Sequence, residues 1–271
     1  MTSSPLAERP SHVPANRVVD FDVYSADWST DGYHEFFARL QAPGVPDLVW
    51  TPRNEGHWIA TSGALIWDIF PNYADFSNNI VIVPKSAGLQ DRRVPSTLDP
   101  PDHKHFRSLM DAGLGPNKVR QLEPLIRETA IGLIEGFRPE GRCDFTQQYA
   151  EQLPIRVFLG IVDLPLSDLD ELKYWCGQIV HPDGDTTFEV AAKWFYDYLE
   201  PVIEARLGGD GQDLISTMIN GTVYDRALTR TEMHNLCLQA LLGGLDTVVN
   251  FLGFVMLDLA RDRELDRKSV V

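Results

Sequence analysis

The sequence of 271 residues is poor in cysteine and in basic charge. Its three cysteines, Cys143, Cys176 and Cys237, form no C-x-x-C pair, which argues against a disulfide framework and favours reduced thiols in the cytoplasm. Only 24 Lys and Arg stand against 39 Asp and Glu. This acidic balance excludes nucleic acid as a partner, because phosphates need a basic surface. The first residues lack a basic-then-apolar pattern, so we expect neither a secretory signal nor a membrane anchor.

One segment departs from the acidic balance. Between Lys85 and Arg127 there are eight basic residues and five acidic ones. The segment is either an ordinary solvated surface or a docking patch for an acidic partner, since local charge steers encounter. Composition alone leaves these two alternatives open.

The hydrophobic pattern predicts a mainly α-helical chain with one small β-hairpin near its start. Two short runs rich in Val, Trp and Ile flank Asn54-Glu55-Gly56 and are typical of paired strands. A long loop is expected over 79–101, and a capping box at Thr229 and Glu232 predicts the start of a last helix that runs to about residue 263. Further helical spacing is expected over 31–43, 63–76, 118–137, 146–160, 166–180, 186–206 and 211–219, with a helix start at Pro100.

The last predicted helix contains the stretch ALLGGLDTVVNFLGFVMLDLA, which is apolar enough to resemble a membrane span. Asp246, Asn250 and Asp258 lie within it, and one central Asp costs about 2.5–3.5 kcal/mol in a span. We therefore predict a helix buried in a globular core and no membrane segment.

Two adjacent glycines at the middle of this helix indicate a function. Each costs about 1 kcal/mol relative to alanine in a helix. Gly243 and Gly244 remove side chains from one turn, where a flat ligand can lie against the backbone. Thr247 can donate its hydroxyl to the Gly243 carbonyl and bend the helix, and Asp246 supplies a group that transfers protons. We interpret the turn as a ligand groove with a proton relay.

A second motif, DPPDHKHFR, places two basic side chains on one helix face. His103 and Arg107 are four residues apart and suit a carboxylate or a phosphate. A zinc site at His103 and His105 is disfavoured, because residues two apart on a helix point to different faces. A solvated basic turn is the simpler alternative.

Taken in chain order, these motifs resemble the cytochrome P450 superfamily, in particular the soluble bacterial camphor hydroxylase type. The motifs are VPDLVWT, GHWIAT, DPPDHKHFR, PIRVF, LKY, PDG, YDYLEPVIE and GGLDTVVNFL. The resemblance implies the N-terminal two-thirds of that fold as a partial domain at 17–265, after a flexible polar tail at 1–16. Residues 266–271, DRKSVV, are expected to be non-native, because their back-translation resembles a sequencing adapter read in frame.

The resemblance also implies a haem b beneath the glycine-containing helix. Asp246 and Thr247 match the acid–alcohol pair that delivers protons to bound dioxygen. Lys173 matches a basic partner of the distal aspartate, and His181 stands where the second partner is an arginine. The implied cofactor-binding residues are His103, Arg107, Gly243 and Gly244.

The implied substrate pocket departs from the camphor enzyme. Asp91 stands where that enzyme has a tyrosine, Ile82 where it has a phenylalanine, and Gln239 where it has a leucine; Leu242 is a further expected lining residue. The resemblance therefore implies a small apolar, terpenoid-like substrate other than camphor. It would be hydroxylated with O2 and with electrons from an iron–sulphur ferredoxin docked near the basic segment.

The superfamily holds its iron through a cysteine thiolate in a glycine-containing loop after the distal helix. None of the three cysteines lies in such a loop, so no metal ligand is expected in this chain. We expect the 271 residues alone to bind no thiolate-ligated haem, to be inactive, and to aggregate through the exposed last helix. Two alternatives stay open: a non-catalytic helical ligand-binding protein and an inert truncation product.

Overall fold

The structure is a computed structural model that describes residues 6–25, 32–89, 93–180, 186–262 and 264–265. It is 61% helical, which confirms the predicted mainly-α class with a small hairpin near the start. Contacts divide the chain into two compact units, namely Met1–Arg92 with Ser96–His103, and Arg93–Pro95 with Lys104–Val271.

The first unit contains the predicted hairpin. Strand β1 (Leu48–Thr51) pairs antiparallel with β2 (His57–Ala60), and residues 54–56 close the turn with positive φ angles. The core of the unit is aromatic: the ring centroids of Phe21 and Phe36 lie 4.6 Å apart. Its helices are α1 (Tyr33–Ala38) with a 3-10 turn at Arg39–Gln41, α2 (Gly63–Ile69), and α3 (Lys85–Gly88), the last within the expected long loop.

The flexible tail expected at 1–16 stays a prediction, but the residues that the structure describes there contact the hairpin. The Ala7 N–H donates to the Pro52 carbonyl at 2.9 Å, and Val13 is fully buried. A few residues later, the Val19 N–H donates to the Trp50 carbonyl at 2.9 Å. The segment is polar in composition, but its backbone forms hydrogen bonds along the hairpin.

Helix α4 (Asp102–Gly113) starts in residues of the first unit and continues into the second. The remaining helices lie close to the predicted bounds, but 146–160 is divided into a π-helical turn (Thr146–Ala150) and an α-helix. They are α5 (Pro116–Phe137), α6 (Gln152–Val162), α7 (Leu169–Val180), α8 (Phe188–Arg206), α9 (Leu214–Ile219), α10 (Arg230–Leu245) and α11 (Thr247–Arg261).

A second hairpin, between α9 and α10, was not predicted. Strands β3 (Thr222–Val223) and β4 (Arg226–Ala227) are joined by Tyr224 and Asp225, both at positive φ. Such turns favour Asn-Gly or Asp-Gly, because most L-residues avoid this region. Tyr224-Asp225 is not one of the residue pairs that usually predict such a turn, so the sequence did not indicate this hairpin.

Helix α10 forms the centre of the second unit. Leu236, Cys237 and Leu241 are fully buried, and the helix packs against α6, α7, α8 and α9. Each buried leucine contributes about 1.5–3 kcal/mol. Helix α11, in contrast, has no buried residue among those the structure describes. The part of the long apolar stretch in α10 therefore lies in the core, whereas the part in α11 lies at the surface.

By length and composition, Arg230–Arg261 is the one segment of the described chain that could cross a membrane. Core helices of soluble proteins meet the same criterion, so the property is weak evidence for a span.

Candidate active site

The last predicted helix is interrupted at Asp246. The backbone there has φ −123° and ψ −45°, which separates α10 from α11. The Thr247 Oγ1 donates to the Gly243 carbonyl at 2.8 Å. This hydrogen bond was predicted and is confirmed. In an intact helix the Gly243 carbonyl would instead accept from the backbone N–H of Thr247, four residues later. The prediction of one continuous helix is corrected accordingly.

The two glycines before the interruption lie in different surroundings. A Cβ added to Gly244 would lie 2.2 Å from Phe158 Cδ2, whereas a Cβ on Gly243 would meet no atom within 4 Å. The open surface predicted for both glycines is therefore wrong for Gly244, because α6 brings the Phe158 ring against it. Gly243 is exposed and keeps the open face. A haem contact for either glycine stays a prediction.

A cavity of about 490 Å³ lies beside the interruption. Residues of α6, α7, α10 and α11, together with the segment that leads into α6, form its wall. The apolar part of the wall includes Ile155, Val249 and Phe254. The polar groups that share the wall are Thr146, Glu151, Lys173, Asp246 and Asn250. The predicted acid, Asp246, thus shares the cavity wall with a cation and a second carboxylate.

Lys173 contacts a carboxylate other than the expected one. Its Nζ lies 2.5 Å from Glu151 Oε2, and the pair is partly exposed. The implied pair with Asp246 is not formed in this structure, and it stays a prediction. Among the described residues, the Asp246 carboxylate has no ion-pair partner.

The three cysteines do not fit the role of an iron ligand. Burial raises the pKa of Cys176 to about 12, and the nearby Asp246 carboxylate adds to the effect while Arg93 opposes it. Burial likewise raises the pKa of Cys237 to about 12. Both thiols stay protonated at neutral pH, and Cys143 is exposed. A cysteine ligates haem iron as a thiolate. The described thiols therefore do not fit an iron ligand, and a distal role for the glycine-containing turn stays a prediction.

The predicted propionate ligands both lie on α4. His103 is half-buried and is assigned to the first unit, whereas Arg107 is exposed and belongs to the second. Arg107 Nε donates to Asp111 Oδ1 at 2.8 Å, and further along the basic segment Arg127 pairs with Glu123 at 3.4 Å. Part of the local positive charge is therefore neutralised within its own helices.

The expected substrate residues are distributed over both units. Ile82 is half-buried in the first unit. In the second unit, Leu242 is buried and Gln239 is half-buried, with its Oε1 buried and without a hydrogen-bond partner among the described residues. Asp91 and His181, like residues 266–271, lie outside the described residues. These assignments stay predictions.

Sequence reasoning missed Glu151, Asn250 and Phe158. Asn250 follows Asp246 by one turn, and that spacing could have indicated a shared face. No local signal marks Glu151 or Phe158, because each meets its partner only after α6 packs against α7 and α10.

No family profile matches the chain, but individual proteins do. The chain is 28% identical to the cytochrome P450 monooxygenase PikC of Streptomyces venezuelae over 244 residues, which is 87% of this chain and 58% of PikC. It is 26% identical to the probable cytochrome P450 127A1 of Sinorhizobium fredii, covering 93% of this chain and 63% of that protein. Among solved structures, CYP101J2 matches with a TM-score of 0.85 and 46% identity, covering 97% of this chain and 66% of that one.

A second solved structure, CYP101C1, matches with a TM-score of 0.82 and 36% identity. The chain belongs to the cytochrome P450 superfamily, and the two structures place it with the CYP101, camphor-type members. The predicted resemblance is confirmed. The chain spans 58 to 66% of the length of PikC, 127A1 and CYP101J2.

Proposed function

We propose that this chain is the distal part of a haem-thiolate monooxygenase that hydroxylates a small apolar, terpenoid-like substrate. The observation that carries the proposal is the interrupted helix, with the Thr247 hydroxyl bonded to Gly243 and the Asp246 carboxylate on a cavity wall. When bound, a haem supplies O2 binding and one-electron chemistry. The Asp246 carboxylate and the Thr247 hydroxyl at the helix interruption would transfer the protons.

The residues at the interruption can move a proton in two steps. Asp246 has no ion-pair partner among the described residues and faces a cavity large enough for water. Its carboxylate can take a proton from that water and release it beside Thr247. Because Thr247 Oγ1 donates to the Gly243 carbonyl, its oxygen lone pairs remain free to accept a hydrogen bond. A hydroxyl so held is suited to orient a water or an oxygen ligand.

The remaining elements of the proposal rest on family membership. His103 and Arg107 would bind haem propionates, Gln239 and Leu242 would line the substrate pocket, and an iron–sulphur ferredoxin in the cytoplasm would donate the electrons. The chain of 271 residues alone is proposed to be inactive, since none of its three cysteines lies in a glycine-containing loop after the distal helix.

A spectrum of the reduced, carbon-monoxide-treated protein after haem reconstitution tests the proposal. We expect the band of thiolate-ligated haem only when this chain is extended by a P450 carboxyl-terminal part carrying the cysteine loop. The same band from the 271 residues would contradict the proposed inactivity. No haem binding by either form would contradict the monooxygenase itself and favour a non-catalytic ligand-binding protein.

In the extended form, Asp246→Asn and Thr247→Val are expected to lower product formation by about a hundredfold, the usual scale of a lost proton-transfer group. The carbon-monoxide band should not change. Asp258→Asn, an exposed carboxylate on the same α11, is the matched control and should keep full turnover. Equal losses in all three variants would show a structural effect and contradict the relay.

A further inference from the structure

We infer that Glu55, in the turn of the first hairpin, is a positioning residue that holds α3 and, through α3, the expected substrate residue Ile82. The inference rests on the proposed function and deepens it, and it concerns the first unit alone. In the sequence, Glu55 is marked only as part of the turn Asn54-Glu55-Gly56. In the structure its side chain also contacts a residue 31 positions later.

The Glu55 carboxylate holds α3 with both of its oxygens. Oε1 accepts from the Ser86 hydroxyl at 2.5 Å, and Oε2 accepts from the Ser86 N–H at 3.0 Å. Hydrogen bonds to an ionised acceptor are stronger than neutral ones, and a pair of them also fixes direction. The bond from the Ser86 hydroxyl is the largest cause that lowers the pKa of Glu55; the bond from the Ser86 N–H adds to it, and burial opposes both. The carboxylate is therefore ionised at neutral pH.

The backbone of Glu55 lies in a region that favours glycine. Its φ is 67°, between Asn54 at 53° and Gly56 at 75°. Asparagine and glycine tolerate such angles, whereas a glutamate there is strained. Strain of this kind persists only where the surrounding structure maintains it, and it clusters at functional positions. A glycine at position 55 would relieve the strain and would lose the contact with Ser86.

A second hydrogen bond from the same part of the first unit holds the chain just before α3. Tyr24 Oη donates to the Val83 carbonyl at 2.6 Å. Tyr24 is itself tied to the hairpin turn, because Asp22 Oδ1 accepts from the Tyr24 N–H at 3.0 Å and from Asn54 Nδ2 at 2.9 Å. The hairpin turn therefore holds the chain at two points, Val83 and Ser86.

Close packing connects α3 with Ile82. Gly88, at the end of α3, is buried, and a Cβ added to it would lie 2.9 Å from the Ile82 carbonyl oxygen and 2.5 Å from Ile80 Cγ2. Because packed groups with so little space between them move together, α3 cannot shift without displacing Ile82. The contact of Glu55 with Ser86 thus sets the position of Ile82, and with it the size of substrate that this side of the site accepts.

Hydrogen exchange in the 271-residue chain tests the contact without haem. The amides of residues 87–89 donate to the carbonyls of residues 84 and 85, so their exchange reports release of the whole of α3. We expect Glu55→Gly to speed this exchange about fivefold, the scale of one lost surface hydrogen bond. The amides of β1 and β2 should keep their rates, because glycine suits the φ of 67°.

Two further variants isolate the contact. Ser86→Ala removes the hydroxyl and keeps the Ser86 N–H, so it should speed the exchange of 87–89 by a smaller factor. Glu8→Gln, at an exposed carboxylate of the same unit, is the matched control and should leave the exchange unchanged. Unchanged exchange in Glu55→Gly would overturn the inference. Faster exchange that extends to β1 and β2 would show a loss of structure in the whole unit and would overturn it as well.

The second test uses the haem-loaded extended protein and two hydrocarbons of different size, cyclohexane and adamantane. Their dissociation constants are read from the change that each causes in the haem absorption spectrum. We expect Glu55→Gly to shift the ratio of these constants about fivefold in favour of adamantane, because a released Ile82 leaves more room. Gly88→Ala should also shift the ratio, since its methyl group displaces the Ile82 carbonyl. Glu8→Gln should keep the ratio.

The outcomes separate this inference from the proposed function. An unchanged ratio in Glu55→Gly, in a protein with a normal carbon-monoxide band, would overturn the positioning of Ile82. An absent band in the extended form, with residues 87–89 exchanging faster as expected, would overturn the monooxygenase alone and support the contact. If Glu55→Gly fails to fold, Glu55→Gln removes the charge from the acceptor and should give smaller changes in the same direction.

Discussion

At the scale of single residues, Glu232 shows how a local motif sets an ionisation. It is the third residue of α10, and its carboxylate accepts from Arg226 twice at 2.8 Å and from the Thr229 N–H at 2.7 Å. The hydrogen bonds from Arg226 are the largest cause that lowers its pKa to about 2, and burial opposes them. The predicted capping box is confirmed and extended by the Arg226 pair.

Glu232→Gln should reduce stability in a pH-dependent way. Because the pKa is lower in the folded chain than the ordinary 4.5, the carboxylate stabilises the fold above about pH 4.5, and this contribution is lost as the pH falls towards 2. After solvent screening we expect a loss of about 1 kcal/mol at neutral pH. Thermal unfolding of both proteins checks this, and their difference in Tm should shrink between these pH values. A difference that stays constant with pH would contradict the ionic origin.

At the scale of elements, Gly244 determines how closely α10 approaches α6. Alanine at Gly244 would place a Cβ 2.2 Å from the Phe158 ring, whereas alanine at Gly243 has open space. We expect Gly244→Ala to destabilise the fold by about 1–3 kcal/mol through overpacking. Gly243→Ala, the matched control on the same turn, should be neutral or stabilising by up to about 1 kcal/mol, since alanine favours helix.

Denaturant titration of the two variants measures these free energies of unfolding. Phe158→Leu combined with Gly244→Ala should recover part of the loss, because a smaller side chain then faces the new methyl group. If alanine at both glycines changed the free energy of unfolding equally, helix propensity and not contact with the Phe158 ring would determine the change.

At the scale of the whole molecule, α11 presents an apolar surface to solvent. Exposed fractions reach 65% at Phe251 and 53% at Phe254. Contiguous apolar patches of this kind promote association. The structure therefore agrees with the expectation that the long helix exposes apolar residues.

We expect the 271-residue chain to self-associate at micromolar concentrations, as measured by size-exclusion chromatography with light scattering. Phe251→Lys together with Val255→Lys should shift the chain towards monomer, because two charges on one turn oppose burial of α11. Leu166→Lys, an exposed leucine outside α11, is the control and should leave association unchanged. A monomer at all concentrations would contradict the prediction.

Short-range patterns were sufficient for much of this protein. Turn residues predicted the first hairpin, spacing predicted the helices, and Thr229 with Glu232 marked the start of α10. Thr247 lies four residues after Gly243, so one turn of helix is enough to bring the hydroxyl to the carbonyl. Such contacts form between residues that are close in the sequence. The order of the motifs along the chain was likewise sufficient to identify the superfamily.

The tertiary structure decided which residues meet across elements. Helix packing places Phe158 against Gly244 and pairs the ammonium of Lys173 with Glu151, and Val13 is buried in the first unit. None of these contacts follows from local propensity, since each joins segments that are far apart in the chain. Sequence alone therefore determined the elements and the family, whereas packing of the helices determined the surroundings of the proton-handling residues, because burial and charge pairing arise only when distant segments come into contact.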